Sequence, residues 1–245
     1  MRKKSLFVIT LFMIFIGCNQ AGSNKDFQRI SCLEYDQTVF PCLALSENVF
    51  KVTNLDSGGT CTAVTAGLGE YFTAGHCLIK ESIKTAFQID GFINGHSTSL
   101  EIKTINFHGE FDPFFIKQPN VDLAFFTVSP ELRNVNPISS HLPQINQEAF
   151  AIGFGTENFP AVIPLYIDEV TDKIFKTKES FSSACPGDSG APVFQKVEGV
   201  WAIVGILTSG EGKNCGDEDR SAGAPIFSSG PRSIKYTANL YNCLN

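Results

Sequence analysis

The apolar residues of this chain come in short runs rich in Val, Ile, Phe and Thr, cut at close intervals by Gly, Pro, Asn and Asp, and helical spacing is scarce. Runs of that length, built from β-branched and aromatic residues and bounded by turn formers, predict an all-β sandwich or barrel. The clearest unit is residues 191–195, a turn at Glu198-Gly199, and residues 200–207, which together read as a β-hairpin following directly on Ser189. Residues 122–128 and 148–153 read as two further apolar strands. The Pro-rich or polar stretches 113–119, 130–143 and 160–164 read as connections, and 130–143 as the boundary between two β subdomains. The 22 Phe are read as core packing, each buried ring contributing about 1.5–3 kcal/mol.

At 245 residues, with 43% hydrophobic and 18% charged content, the chain has enough apolar surface for a buried core. The net charge of −6 grows more negative by the three positive charges of Arg2, Lys3 and Lys4 once the first 17 residues are removed, which argues against a nucleic-acid surface. Residues 1–17 pair those basic residues with an apolar run too short to span a bilayer, as a secretory signal peptide does. Phe15-Ile16-Gly17-Cys18 resembles the lipobox of bacterial lipoproteins, which implies lipidation of Cys18, a tether over residues 18–30, and a location at the cell-envelope membrane. The other reading is ordinary cleavage near residues 21–23 and a secreted product. Export places the remaining seven cysteines where disulfides form. There is no Cys-x-x-Cys and no His pair at metal-ligand spacing, so no metal and no cofactor is expected. Cys32 with Cys42 closes a short loop and is the first guess, leaving Cys243 free; the alternative is that either of them pairs with Cys243.

Ser189 stands in a turn of small residues, Gly187-Asp188-Ser189-Gly190, leading into the apolar hairpin. Serine needs a neighbouring base and a site for the oxyanion formed on attack. Two flanking glycines leave the backbone bare enough for the N–H groups of Gly187 and Ser189 to point at one place. An ordinary Asp-Ser-Gly turn between strands is the other reading. Of the four histidines, His76 ends a strand-like run, Glu70 to Gly75, with small residues beside it, whereas His96, His108 and His141 read as exposed surface histidines. Asp122 opens a strongly apolar strand, where a buried carboxylate needs a partner.

Together these residues resemble the chymotrypsin-fold, trypsin-like serine proteases. Thr73-Ala74-Gly75-His76-Cys77 is similar to the histidine motif of that family, Asp122-Leu123-Ala124 to its aspartate motif, and Gly187-Asp188-Ser189-Gly190-Ala191-Pro192 to its serine motif, in the same order. Cys61 and Cys77, 16 residues apart, match the family's disulfide beside the histidine, and Cys185 and Cys215 the one that ties the serine loop to the specificity pocket. The similarity runs from about Gly59 to Phe227.

The resemblance implies two six-stranded antiparallel β-barrels with few short helices and the active site between them, spanning residues 31–135 (His and Asp) and 136–245 (Ser). It implies a serine endopeptidase acting on polypeptides through an acyl-enzyme: Ser189 as nucleophile, His76 as base and acid, Asp122 as its orienter, and the N–H groups of Gly187 and Ser189 as the oxyanion hole. Ser183 corresponds to the pocket floor, and Thr208, Ser209 and Gly210 to the strand that pairs with a substrate backbone. A monomer is expected; a serine esterase and an inactive binding protein on the same fold are the alternatives. The family's Ile-Val-Gly-Gly start is missing, so Asp188 is expected to take a partner other than a freed N-terminal amine.

Overall fold

The computed structural model describes residues 30–67, 70–79, 87–93, 96–108, 111–112, 121–129, 136–155, 157–178, 184–210 and 221–225. Among them lie thirteen strands, one short helix and one 3₁₀ turn. Six strands close into a barrel: β2 (Val49–Asn54), β3 (Thr60–Gly67), β4 (Glu70–Thr73), β5 (Phe87–Ile93), β6 (His96–Phe107) and β7 (Ala124–Ser129), in the order β2-β3-β4-β7-β6-β5. Alternation decides which face turns inward. Phe50, Val52, Ile89, Leu100 and Phe126 fill the interior, with Tyr71 stacked on Phe126 at 5.2 Å between ring centroids and edge-on to Phe50 at 5.2 Å. Gly91 faces Phe50 across the β2–β5 pair, and a Cβ there would overlap the Phe50 ring.

The second sheet holds β1 (Ile30–Ser31), β8 (Gln147–Gly153), β9 (Ala161–Val170), β10 (Phe175–Thr177), β11 (Pro192–Val197), β12 (Val200–Gly210) and β13 (Ser221–Pro225), ordered β1-β9-β10-β13-β12-β11-β8. Because β8 also pairs with β9, six of these strands form a closed ring, and β1 is a two-residue addition on the other side of β9. All ladders are antiparallel, so the architecture is the expected pair of six-stranded barrels with almost no helix.

The predicted hairpin is β11–β12. Glu198 and Gly199 sit at φ +50° and +85° between the paired Val197 and Val200, the two-residue turn whose twist suits a hairpin. Two expectations need correction. Residues 160–164 are no simple connection, because β9 starts at Ala161 and carries Pro164 inside it. Pro164 pairs with Phe150 on one side, while on the other β1 ends its pairing at Val162 and β10 begins at Ile167, so no ladder needs an N–H from that side. His108 is not an exposed surface histidine: it is buried just after β6, its N–H bonded to the carbonyl of Leu123 at 2.9 Å.

A separate cluster joins the barrels. Val49 and Val64 of the first barrel and Leu123 meet Phe150, Ile152, Phe154, Phe194 and Ile203 of the second, with Phe40 stacked on Phe150 at 4.7 Å. Phe40 comes from the loop closed by the Cys32–Cys42 disulfide, next to the short helix α1 (Cys42–Ser46). Asn136 fastens the same seam, its side chain bonding to Asn48 and to the Leu45 carbonyl.

Inside the first barrel, the Tyr71 hydroxyl and the facing Thr65 hydroxyl are buried and make no hydrogen bond among the described residues. Burial raises the Tyr71 pKa above its ordinary 10.0, because a buried phenolate loses its hydration. A raised folded-state pKa contributes stability below pH 10 that is lost as pH rises past it. Tyr71→Phe should therefore match the wild type or exceed it by up to about 1 kcal/mol at neutral pH, and should fall less steeply above pH ~10 in urea unfolding. A loss of more than about 2 kcal/mol at neutral pH would mean that the hydroxyl has a partner.

Candidate functional site

His76 lies in the 3₁₀ turn Gly75–Leu78 that ends β4, and Asp122 stands two residues ahead of β7, the strand paired with β4. Adjacent strands thus bring the two residues to one mouth of the barrel. The Asp122 carboxylate is 1% exposed and is engaged by one residue at both oxygens: Oδ1 accepts the His76 backbone N–H at 2.8 Å, and Oδ2 lies 2.6 Å from His76 Nδ1. A carboxylate facing Nδ1 keeps the proton there and leaves Nε2 with its lone pair free.

Gly75 makes room for this arrangement. A Cβ there would lie 3.0 Å from Asp122 Oδ1 and 2.9 Å from the Phe111 ring, which stacks on Phe107 and closes that side of the pair. His76 Nε2 lies 3.8 Å from Cys77 Sγ, and Cys77 is bonded to Cys61, bracing the 3₁₀ turn against β3. Cys61, His76 and Cys77 are close enough to suggest a metal site, yet the two sulfurs are bonded to each other and offer no thiolate.

The serine turn comes from the other barrel, between residue 184 and β11. Gly187 and Gly190 take φ +98° and +88°, values that only glycine adopts without strain. The turn is held inside by Asp188 N–H to the Cys185 carbonyl and Ala191 N–H to the Asp188 carbonyl, both 2.9 Å. Asp188 is buried, and its Oδ2 accepts the Cys185 N–H at 2.7 Å, so a partner for this carboxylate lies within its own turn. The N–H groups of Gly187 and Ser189 donate to no acceptor among the described residues.

One residue of the first barrel holds the turn in place. Thr62 is completely buried on β3, and its N–H bonds to the Ser189 carbonyl at 2.8 Å. Its hydroxyl donates to the Gly187 carbonyl at 2.9 Å and accepts the Phe154 N–H at 3.1 Å, while its own carbonyl accepts the Thr73 hydroxyl at 2.7 Å. Gly190 packs on the Thr62 carbonyl and the Thr73 hydroxyl so closely that a Cβ would overlap both. Thr73 lies three residues before His76, so a short path of bonds links the serine turn to the histidine. Cys77 Sγ closes the link from the other side, 3.7 Å from the Ser189 carbonyl.

On its other flank the turn meets β12: Gly190 N–H bonds to the Leu207 carbonyl at 2.6 Å, and Leu207 N–H to that of Ala191 at 2.9 Å. Just beyond, Thr208 is buried at a bulge in the β12–β13 ladder, Ser209 pairs with Ala222 and is exposed, and Gly210 pairs with Ser221. The structure therefore brings His76, Asp122, Gly187, Ser189 and the 208–210 strand to the line where the barrels meet. Ser183, Cys18 and Cys215 lie outside the described residues; Cys185 is disulfide-bonded, and its partner is none of the other four described cysteines, which pair among themselves. Sequence reasoning missed Thr62. The available signal was the alternation in Thr60-Cys61-Thr62, which puts both threonines on the face opposite Cys61.

Two antiparallel barrels, a histidine–aspartate pair at the mouth of one and a glycine-flanked serine turn of the other held against it, define the class of trypsin-like serine peptidases. The family model described as Trypsin matches residues 46–228, and the chain belongs to that family.

Thr62→Val keeps the shape and removes the hydroxyl, leaving the Gly187 carbonyl and the Phe154 N–H without their partner. The variant should lose about 1–3 kcal/mol in denaturant unfolding, whereas Thr62→Ser should lose less than half as much. Equal stability of Thr62→Val and wild type would remove Thr62 from its role as the clamp on this turn.

Proposed function

We propose that this protein is an exported serine endopeptidase in which Ser189, His76 and Asp122 form the catalytic triad. The observation that carries the reading is the two-point bond between Asp122 and His76, with the Ser189 turn clamped to the same strand system by Thr62. Ser189 Oγ attacks the scissile carbonyl carbon while its proton passes to His76 Nε2. The carbonyl oxygen, now negative, is met by the N–H groups of Gly187 and Ser189. As the C–N bond breaks, His76 returns the proton to the leaving amine, and the acyl group stays on Ser189. Water, deprotonated by His76, then attacks the acyl carbon by the same route and restores the serine. Asp122 holds the tautomer and offsets the charge of the imidazolium.

Thr208 to Gly210 pair with the substrate backbone ahead of the cut in this reading, and Ser183 forms an uncharged pocket floor. The substrate is a polypeptide, and the chemistry uses no cofactor. The leader and lipidation at Cys18 are part of the same proposal: the peptidase works as a monomer tethered to the cell envelope.

A fluorophosphonate probe should label the wild type and not Ser189→Ala, and casein should be cleaved in preference to a short-chain ester. Asp122→Asn, which leaves His76 in the wrong tautomer, should lower kcat by about 10⁴-fold while the fold persists. Absence of labelling would overturn the enzymatic reading, and ester turnover without peptide cleavage would favour an esterase. In cells, Cys18→Ser should move the protein from the membrane fraction to the soluble one and abolish incorporation of a fatty-acid analogue. Unchanged fractionation would overturn the anchor.

A further inference from the structure

The outer face of the first barrel changes character along β2 and β3. Val49 and Val64 are register partners buried in the seam; two residues further along, Lys51 faces Thr62, and after another two, Thr53 faces Thr60. The strand on the other side of β2 extends both polar rows, with Asp90 beside Lys51 and Gln88 beside Thr53. Register partners share a face, so two rows of polar side chains, Thr62–Lys51–Asp90 and Thr60–Thr53–Gln88, run outward from β3 over β2 to β5.

The inner end of each row touches the serine turn or its neighbour. Thr62 bonds to the Gly187 carbonyl, and Thr60 Oγ1 donates to the Gly155 carbonyl at 3.3 Å. A Cβ on Gly187 would overlap that same Gly155 carbonyl. Over the outer part of these rows, at Lys51, Thr53, Gln88 and Asp90, lies an open groove of about 430 Å³, walled on one side by Phe154 and Asn158. Apart from Phe154 and Gly91 its lining is polar, which suits a peptide better than an apolar small molecule.

We infer that this groove receives the substrate segment following the scissile bond and selects an acidic side chain there through Lys51. The inference rests on the proposed peptidase reading, and the direction follows from the two flanks of the serine turn. β12 lies on one flank and leads to residues 208–210, which hold the acyl side; β3 lies on the other, so the departing segment leaves past the half-buried Thr60 at the start of β3 and into the groove.

The sign of the preference comes from the partners of Lys51. Its ammonium donates to the Glu157 carbonyl at 3.0 Å and to Asn158 Oδ1 at 2.9 Å, two neutral oxygens that fix its position without cancelling its charge. Among the described residues no carboxylate forms an ion pair with it. An ammonium has three donors, so one remains for a substrate carboxylate. Asp90 limits the reach: its carboxylate, one strand further out, accepts from Gln88 at 2.9 Å and repels an acid that overshoots Lys51.

The test digests a proteome-derived peptide library with wild type, Lys51→Met and Lys51→Glu, using Ser189→Ala as blank, and reads the residues around each cut by mass spectrometry. Wild type should enrich Asp and Glu after the cut, Lys51→Met should lose that enrichment, and Lys51→Glu should replace it with Lys and Arg. Preferences before the cut should stay the same in all three. On matched peptides differing by Asp or Asn after the cut, Lys51→Met should cost the Asp peptide about threefold to fivefold in kcat/KM, mostly through KM, as expected for a half-exposed ion pair. No acidic enrichment by wild type, or enrichment unchanged in both variants, overturns the inference.

If no cleavage depends on Ser189, the peptidase reading falls and the groove is judged by binding. Ser189→Ala protein is titrated into a fluorescein-labelled Asp-rich peptide: salt-sensitive binding abolished by Lys51→Glu supports the groove alone, and no binding overturns it as well.

Discussion

The site depends on one buried side chain that belongs to neither end of the chemistry. Thr62 uses its N–H, its carbonyl and its hydroxyl, the last as both donor and acceptor, to join the serine turn, the residue after β8, and the strand that leads to His76. The two barrels are separately closed, and neither needs the other to complete its own ladders. Their relative position therefore has to come from the seam. The aromatic stack around Phe40 and Phe150 supplies area there but little orientation, because hydrophobic contact is non-directional. The hydrogen bonds of Thr62 supply the orientation, and they act where a small displacement would separate the Ser189 turn from His76.

Glycines around this clamp follow from the same requirement. Gly190 lets the turn lie on the Thr62 carbonyl, Gly187 lets it lie on the Gly155 carbonyl, and Gly75 leaves space for the Asp122 carboxylate under Phe111. Each stands where a backbone or a carboxylate comes closer than a side chain permits. The conformational freedom that glycine gives up on folding is a cost, and the bonds that the close approach allows offset it.

Much of this was legible in the chain. The strand-length runs and the Glu198-Gly199 hairpin pointed to an all-β fold, because turn chemistry and period-two patterning are local properties, while the two barrels and the family were implied by the resemblance that the three motifs carry in their order. What escaped depends on register. Thr62 reads as an ordinary strand threonine until the antiparallel partner and the docked turn are known, and Lys51 as an ordinary solvated lysine until it is seen in a row with Thr62 and Asp90. Pro164 looked like a break because proline is costly where a ladder needs its N–H, and only the topology shows a strand with a gap in its pairing on one side. His108 looked exposed because its neighbours are polar, whereas its burial comes from the Leu123 segment that crosses it.

A division of labour follows from where each interaction sits on the first barrel. The inward face carries Phe50, Tyr71 and Phe126, which hold the barrel together and pack in one cluster with Ala74, Cys77 and Leu78 behind the His76 turn. The outward face runs from Val49 and Val64 in the seam, through Thr62 under the serine turn, to the half-buried Lys51 and Asp90. A substitution on the inward face changes stability first; under the proposed peptidase reading, one at Thr62 changes stability and reactivity together, and one at Lys51 is free to change the substrate alone. In that reading catalysis and selection are coupled through one strand face, in an order set by distance from the serine turn.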